Sequence, residues 1–353
     1  MKPEIESPSK RGYRMPAEWE PHAATWLTWP HDEAHWPGKF KKIPPIWARI
    51  TKELIEGEDV HILVHDTVTE KIAEKELKNA GATSDRVHLH RVPNNFSWAR
   101  DHGPIFLKND TGETLITHWG YNAWGEKWTH DLDEQVPAHI ANITGIPSVR
   151  VPMILEGGSI DVNGRGTLLT TASCLLHPNR NPGLKKDQIE KNLKDYLGVI
   201  NVLWLGDGIT GDDTNGHVDD LTRFIGPRKI FAVIEEDEND ENHAPLKANL
   251  ELLKQMTDEA GHPFEIHTVP LPSPLFYEGI RLPASYANFY VGNSVVLAPV
   301  FNDANDNASI NVLTEAFPTR RIVPIDTTDL VWGFGAFHCI TQQQPAASSF
   351  SWK

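Results

Sequence analysis

Two residues in the second half of the chain could share nucleophilic chemistry: Cys339 and His217. The stretch GFGAFHCITQQQP (333–345) sets Cys339 shortly after Gly333 and Gly335, where a tight turn meets a strand. Glycines there allow close backbone approach to a ligand. A thiolate is the attacking form, so its pKa must be brought down by positive charge or backbone donors. A lone cysteine is more often buried and inert, and that reading suits Cys174 in the apolar TTASCLL. The flanking glycines and the polar TQQQ set Cys339 apart. In TGDDTNGHVDD (210–220), His217 and Asp219 stand two residues apart, a spacing that suits one strand face. Histidine serves as base and acid near neutral pH, and the carboxylate could bind a cation beside it. The H-x-D pattern alone also fits a surface loop or a metal site. No other His or Cys stands at ligand spacing near it.

Two further acids sit where an apolar stretch meets a glycine turn: Asp101 in SWARDHGP (97–104) and Glu156 in LEGGSIDV (155–162). Either alone is more often a cap or turn residue. The pair His88 and His90 in HLH shares a strand face, and a structural role is expected for it rather than a metal. The charge run EEDENDEN (235–242) reads as a solvated loop.

The elements that must position these groups alternate. Helices are expected at 46–56, 68–81, 132–144, 185–197, 244–260 and 309–317. Strands are expected at 59–65, 87–92, 104–107, 114–119, 166–171, 199–205, 222–224, 230–234, 265–269, 288–291, 294–299 and 320–324, with a turn at Asn109-Asp110. Residues 1–14 read as a loose arm, and 15–353 as one continuous α/β domain. The unit recurs without any literal sequence repeat.

The whole chain of 353 residues carries 33 Lys and Arg against 48 Asp and Glu, a formal charge of −15. Nucleic acids and anionic membranes demand a basic footprint, so neither is an expected partner. Acidity is compatible with a cationic substrate. Two cysteines cannot build a disulfide framework and indicate a reducing, cytoplasmic setting. No stretch approaches the roughly 20 apolar residues of a membrane span, and the start has no signal core.

Taken in order, MPAEWEPHAATWLTWP (15–30), SWARDHGP, LEGGSIDVNGRGTLLTT, CLLHPNRNP (174–182), TNGHVDD and FHCITQQQP resemble the signature blocks of the agmatine deiminase family, within the guanidine-modifying pentein superfamily. Any one block alone would be weak; six in register are specific. The resemblance implies a five-bladed α/β propeller of pseudo-fivefold ββαβ units with the site on its axis. It implies Cys339 as nucleophile, His217 as general acid/base, and Glu156 as the acid orienting that histidine. It further implies Asp101 and Asp219 as the guanidinium clamp, Trp98 as a pocket aromatic, Gly335 and Asp213 beside the substrate, and a homo-oligomer. No metal or organic cofactor is required. Phe334 and Ala336 replace glycines usual in the family, and Asp213 stands where a glutamate is usual.

The physics agrees with these roles. A guanidinium stays charged and presents a planar fork of donors, so burying it requires carboxylates. The expected reaction converts agmatine and water to N-carbamoylputrescine and ammonia through a thiouronium on Cys339. The alternatives are deimination of free or peptidyl arginine, and a non-catalytic pentein that binds a ligand. A papain-like protease fits poorly, because its nucleophile lies near the start of the mature chain.

Overall fold

The computed structural model describes residues 6–347. Along the chain the strands are β1 (His22–Thr28), β2 (Asp59–Val64), β3 (Val87–Arg91), β4 (Ile105–Lys108), β5 (Thr114–Gly120), β6 (Ser148–Ile154), β7 (Ile160–Val162), β8 (Thr167–Thr171) and β9 (Asn201–Leu205). They continue as β10 (Thr222–Gly226), β11 (Lys229–Ile234), β12 (Glu265–Pro270), β13 (Phe276–Tyr277), β14 (Ile280–Arg281), β15 (Tyr290–Val291), β16 (Val295–Val300), β17 (Arg321–Asp326) and β18 (Thr341–Pro345).

Four sheets follow one plan: an antiparallel pair, a helix, then a third strand parallel to the second. These are β4–β6, β7–β9, β10–β12 and β15–β17. The parallel step needs a crossover, supplied by the helices Val136–Thr144, Lys186–Leu197, His243–Gln255 and Asp306–Ala316. The fifth sheet joins the two ends of the chain. Strand β18 lies antiparallel to β1, and β2 and then β3 add in parallel. Five ββαβ units therefore close a pentein propeller, and among the described residues β3 and the β13–β14 hairpin are additions to the plan. The helix Lys186–Leu197 shows how a crossover is held: Ile189, Leu193 and Leu197 recur every four residues and are buried, which is one helical face.

The motif blocks meet at the centre of the ring. Glu18 accepts from Arg100 at 3.1 Å and from Arg223 at 3.0 Å, and faces His338 Nε2 at 2.9 Å. Arg100 also donates to Gln342 and Gln343, at 2.7 Å each. All six side chains are buried. Interior charges persist only when paired in this way.

The structure moves several expected elements. The helix expected at 46–56 begins at Ile43, because Pro44 and Pro45 sit in its first turn where no N–H is needed. The helix expected at 244–260 stops at Gln255. Beyond it, Asp258 accepts from the backbone of Ala260 and His262 in a separate turn. The strand expected at 288–291 shrinks to Tyr290–Val291, with Asn288 outside it. Residues 8–14, expected within a loose arm, are docked: Tyr13 is buried, Arg14 pairs with the backbone of Lys108, and its guanidinium grips Glu20 at 2.6 Å. The first five residues of that arm lie outside the described residues. Within 235–242, Asp240 pairs with Arg281 and Asn242 is buried, while residues 236–239 are exposed.

Candidate active site

Cys339 lies in the turn just before β18. Asn288 holds that turn: its Oδ1 accepts from the backbone N–H of His338 and Cys339 at 3.0 and 3.2 Å, and its Nδ2 donates to Cys339 Sγ at 3.1 Å. Gly335 is required by space. A Cβ there would meet the Trp98 ring at 2.6 Å and Cys339 Cβ at 3.1 Å. Phe334 stands in the left-handed region at φ 72°, a costly conformation for a bulky residue, and turns its ring to a cavity wall.

His217 and Asp219 are not on a strand. His217 opens a single 3-10 turn, Val218–Asp220, ahead of β10. The His217 ring is fully enclosed, with Nδ1 at 3.8 Å from Asp101 Oδ1 and 4.0 Å from Asp219 Oδ1. Asp219 Oδ2 accepts from His338 Nδ1 at 2.6 Å and faces Cys339 Sγ at 3.6 Å. Asp101 serves as no local cap: it accepts from Trp124 Nε1 at 2.9 Å and from the Gly158 N–H at 3.0 Å. The Trp124 indole is aimed there by a strained turn in which residues 123–126 all have positive φ. Gly158 leaves the room in which these groups meet. A Cβ on it would sit 2.6 Å from His217 Nδ1 and 2.9 Å from oxygens of both Asp101 and Asp219.

Glu156 is paired with Arg180 at 2.6 Å through Oε1, both side chains fully enclosed. Cys174, expected to be an inert core thiol, is buried but not isolated. Its Sγ, a Glu156 oxygen and a His217 nitrogen lie within 4.8 Å of one another. That trio has metal-like spacing, yet the Arg180 guanidinium already supplies the cation against Glu156. Among the buried atoms without a hydrogen-bond partner are both ring nitrogens of His217, Asp219 Oδ1 and Glu156 Oε2. Of these, His217 Nδ1 and Asp219 Oδ1 stand 4.0 Å apart, a proton carrier and an acceptor that a donor-rich ligand would satisfy.

A cavity of about 420 Å³ opens over the thiol. Cys339, Asp101, Trp98 and Asp213 line it, with Phe96, Trp124, Trp128, Tyr277 and Trp332 as aromatic walls. His217, Asp219 and Glu156 lie behind this lining. Asp213 sits higher, where the Lys127 ammonium donates to its backbone carbonyl.

Burial and surrounding charge set the protonation states. Burial, then the carboxylates of Asp219, Asp220 and Asp101, push the Cys339 thiol well above its ordinary pKa. Burial alone would lower His217, but Asp101, Cys174 and Glu156 outweigh it and hold the ring well above the usual imidazole range. Burial, helped by Asp219 and Glu156, raises Asp101 to about 6. Burial also raises Asp213 to about 6, with Asp212 adding to it. Asp219 is the exception: burial would raise it, but His338, His217 and Arg223 bring it below the usual range.

The residues not anticipated from sequence are Asn288, His338, Gly158, Trp124 and Cys174. His338 and Gly158 lie inside quoted motifs and could have been found there. Asn288 and Trp124 carry no local signal.

The sequence profile of the Porphyromonas-type peptidyl-arginine deiminases matches residues 14–345. A Legionella pneumophila protein with a provisional agmatine deiminase name is 37% identical over 342 residues, covering 96% of this chain and 97% of that protein. The agmatine deiminase of Ectopseudomonas mendocina is 34% identical, covering 96% and 97%. The solved structure of Enterococcus faecalis agmatine deiminase superimposes with a TM-score of 0.90 at 34% identity, covering 97% of this chain and 98% of that one.

Proposed function

This chain belongs to the Porphyromonas-type peptidyl-arginine deiminase family, and from that premise we propose that it hydrolyses agmatine to N-carbamoylputrescine and ammonia. It is a hydrolase of C–N bonds in linear amidines. The observation that carries the substrate choice is the acidic cavity lining, Asp32, Asp101 and Asp213, while two ammonium groups near it are already engaged, Lys127 on the Asp213 carbonyl and Lys39 on Asp329 and the Trp332 ring. A free arginine would bring an α-carboxylate needing a cationic partner. Agmatine brings an ammonium, which the upper aspartates and aromatic walls accommodate.

In this reading the guanidinium enters between Asp101 and Asp219, and each carboxylate accepts from its N–H fork. The bound cation offsets the negative charge that holds up the Cys339 pKa. The thiol then gives up its proton to solvent in the open cavity, Asp219 staying ionised as half of the clamp, and sulfur attacks the guanidinium carbon. His217, held protonated, delivers its proton to the departing ammonia. It next takes a proton from water, whose oxygen displaces sulfur and leaves the ureido product. Cys339 is the nucleophile, His217 the acid and base, Glu156 the acid that neighbours it, and Trp98 a flat wall beside the substrate. The two cysteines, both free, suit a reducing cytoplasm.

Ammonia release from agmatine, arginine and a C-terminal-arginine peptide tests the proposal. Agmatine should be preferred on kcat/KM by on the order of 10³-fold, the few kcal/mol that an unpaired buried charge costs. Equal turnover of free or peptidyl arginine would overturn the substrate choice, and ammonia from none of them would overturn the activity.

A further inference from the structure

Away from the cavity, one strand face gathers two histidines and an aspartate within coordinating reach, with a third histidine hydrogen-bonded to one of them. Strands β2 and β3 run parallel in a register that sets His61 beside His88 and Leu63 beside His90. Side chains alternate along a strand, so Asp59, His61, His88 and His90 share a face. An Asp59 oxygen and one ring nitrogen each of His61 and His88 lie within 4.8 Å of one another. His88 Nε2 is 3.4 Å from Asp59 Oδ2, and His61 Nδ1 is 2.8 Å from His90 Nε2. Trp26, opposite His61 on β1, stacks on that ring at 4.4 Å between centroids. All four polar side chains are only half-buried, so an ion can reach them from solvent.

The geometry points to a transition-metal site of the zinc class on this face, with Asp59, His61 and His88 as ligands and His90 completing the set. Three imidazoles and one carboxylate suit Zn²⁺, and also Cu²⁺ or Ni²⁺, rather than a hard all-oxygen ion. Zn–N bonds of about 2.0–2.1 Å place tetrahedral ligand atoms roughly 3.4 Å apart. The Asp59–His88 separation already has that value, while the His61 ring, stacked on His88 at 4.7 Å and on His90 at 5.0 Å between centroids, must turn out of both stacks to aim its nitrogen at the same ion. Two histidines alternating on one strand with a third from its neighbour converge without any long loop. Four protein ligands fill a tetrahedron, which is a structural rather than a catalytic zinc site. It ties the edge strand β3 to β2, and none of the four residues lines the catalytic cavity.

Chelator-stripped protein titrated with Zn²⁺ against a chromogenic chelator should take up one tightly held equivalent. That equivalent should be lost in His88→Ala and in His61→Gln, with agmatine turnover unchanged in both. Co²⁺ in the unaltered protein should give the visible absorption of a tetrahedral ion, absent from His88→Ala. His88 is partly exposed, so its truncation leaves the core intact and the comparison valid. Failure to bind Zn²⁺, or an equivalent that persists in both variants, would overturn the proposal, whatever the substrate panel shows.

Discussion

His338 Nδ1 stands 2.6 Å from Asp219 Oδ2, while its Nε2 stands 2.9 Å from Glu18 Oε2. A ring with a carboxylate at each nitrogen donates to both only as the imidazolium. This histidine, adjacent to Cys339, therefore belongs to the charge network that holds Asp219 ionised against its complete burial. His338→Gln should lower kcat/KM for agmatine by ~10²-fold, about the 3 kcal/mol lost when one partner of a buried charge pair is removed. Steady-state kinetics with unaltered kcat/KM would show that Asp219 needs no such support.

Gly158 provides a steric test of the cluster. The alanine methyl would lie within 3 Å of His217, Asp101 and Asp219 together, so those groups must part. Gly158→Ala should reduce kcat by on the order of 10²-fold, since small misplacements of reacting groups carry that cost. Circular dichroism should show a folded protein. Normal turnover would mean the cluster has slack that the distances do not suggest.

Cys174 sits behind His217 and contributes to its raised pKa. His217 acts as an acid only while protonated, so that function is lost as pH rises through its pKa. Cys174→Ala removes one raising influence, and the basic limb of the kcat–pH profile should move to lower pH. An unmoved limb would return Cys174 to the role of core filler.

Asp101 titrates near 6 because burial penalises its charge. The clamp needs the carboxylate, so kcat/KM for agmatine should rise as pH increases through about 6 and level off above it. Linkage runs in the opposite direction for the free fold. With the folded pKa above the unfolded value of about 3.9, the group's contribution to stability falls between roughly pH 4 and 6 as pH rises. Saturating agmatine should offset that loss. Thermal midpoints with and without substrate across this window check the sign.

Cys339, His217, Asp101 and Asp219 were legible in the sequence as candidates because each lies in a short block with its own glycines and polar neighbours, and the roles proposed for them came through the family resemblance. Ring closure was legible only through the family resemblance. Strand β1 is buried along nearly its whole length, so it lacks the alternation that marks a half-buried strand. Strand β6 contains Pro152, which argues locally against a strand. Pairings such as Arg100 with Gln342, or Asn288 with Cys339, join distant segments and leave no periodic trace. The histidine cluster shows the same limit. His88 and His90 were visible as a pair, but only the β2–β3 register sets His61 beside them.

Acid-quenched mass spectrometry of the enzyme turning over agmatine bears most directly on whether Cys339 forms the bond. The peptide carrying Cys339 should gain the mass of agmatine less ammonia, and Cys339→Ser should show neither that adduct nor turnover. An adduct confined to another residue, or turnover surviving in Cys339→Ser, would contradict the account.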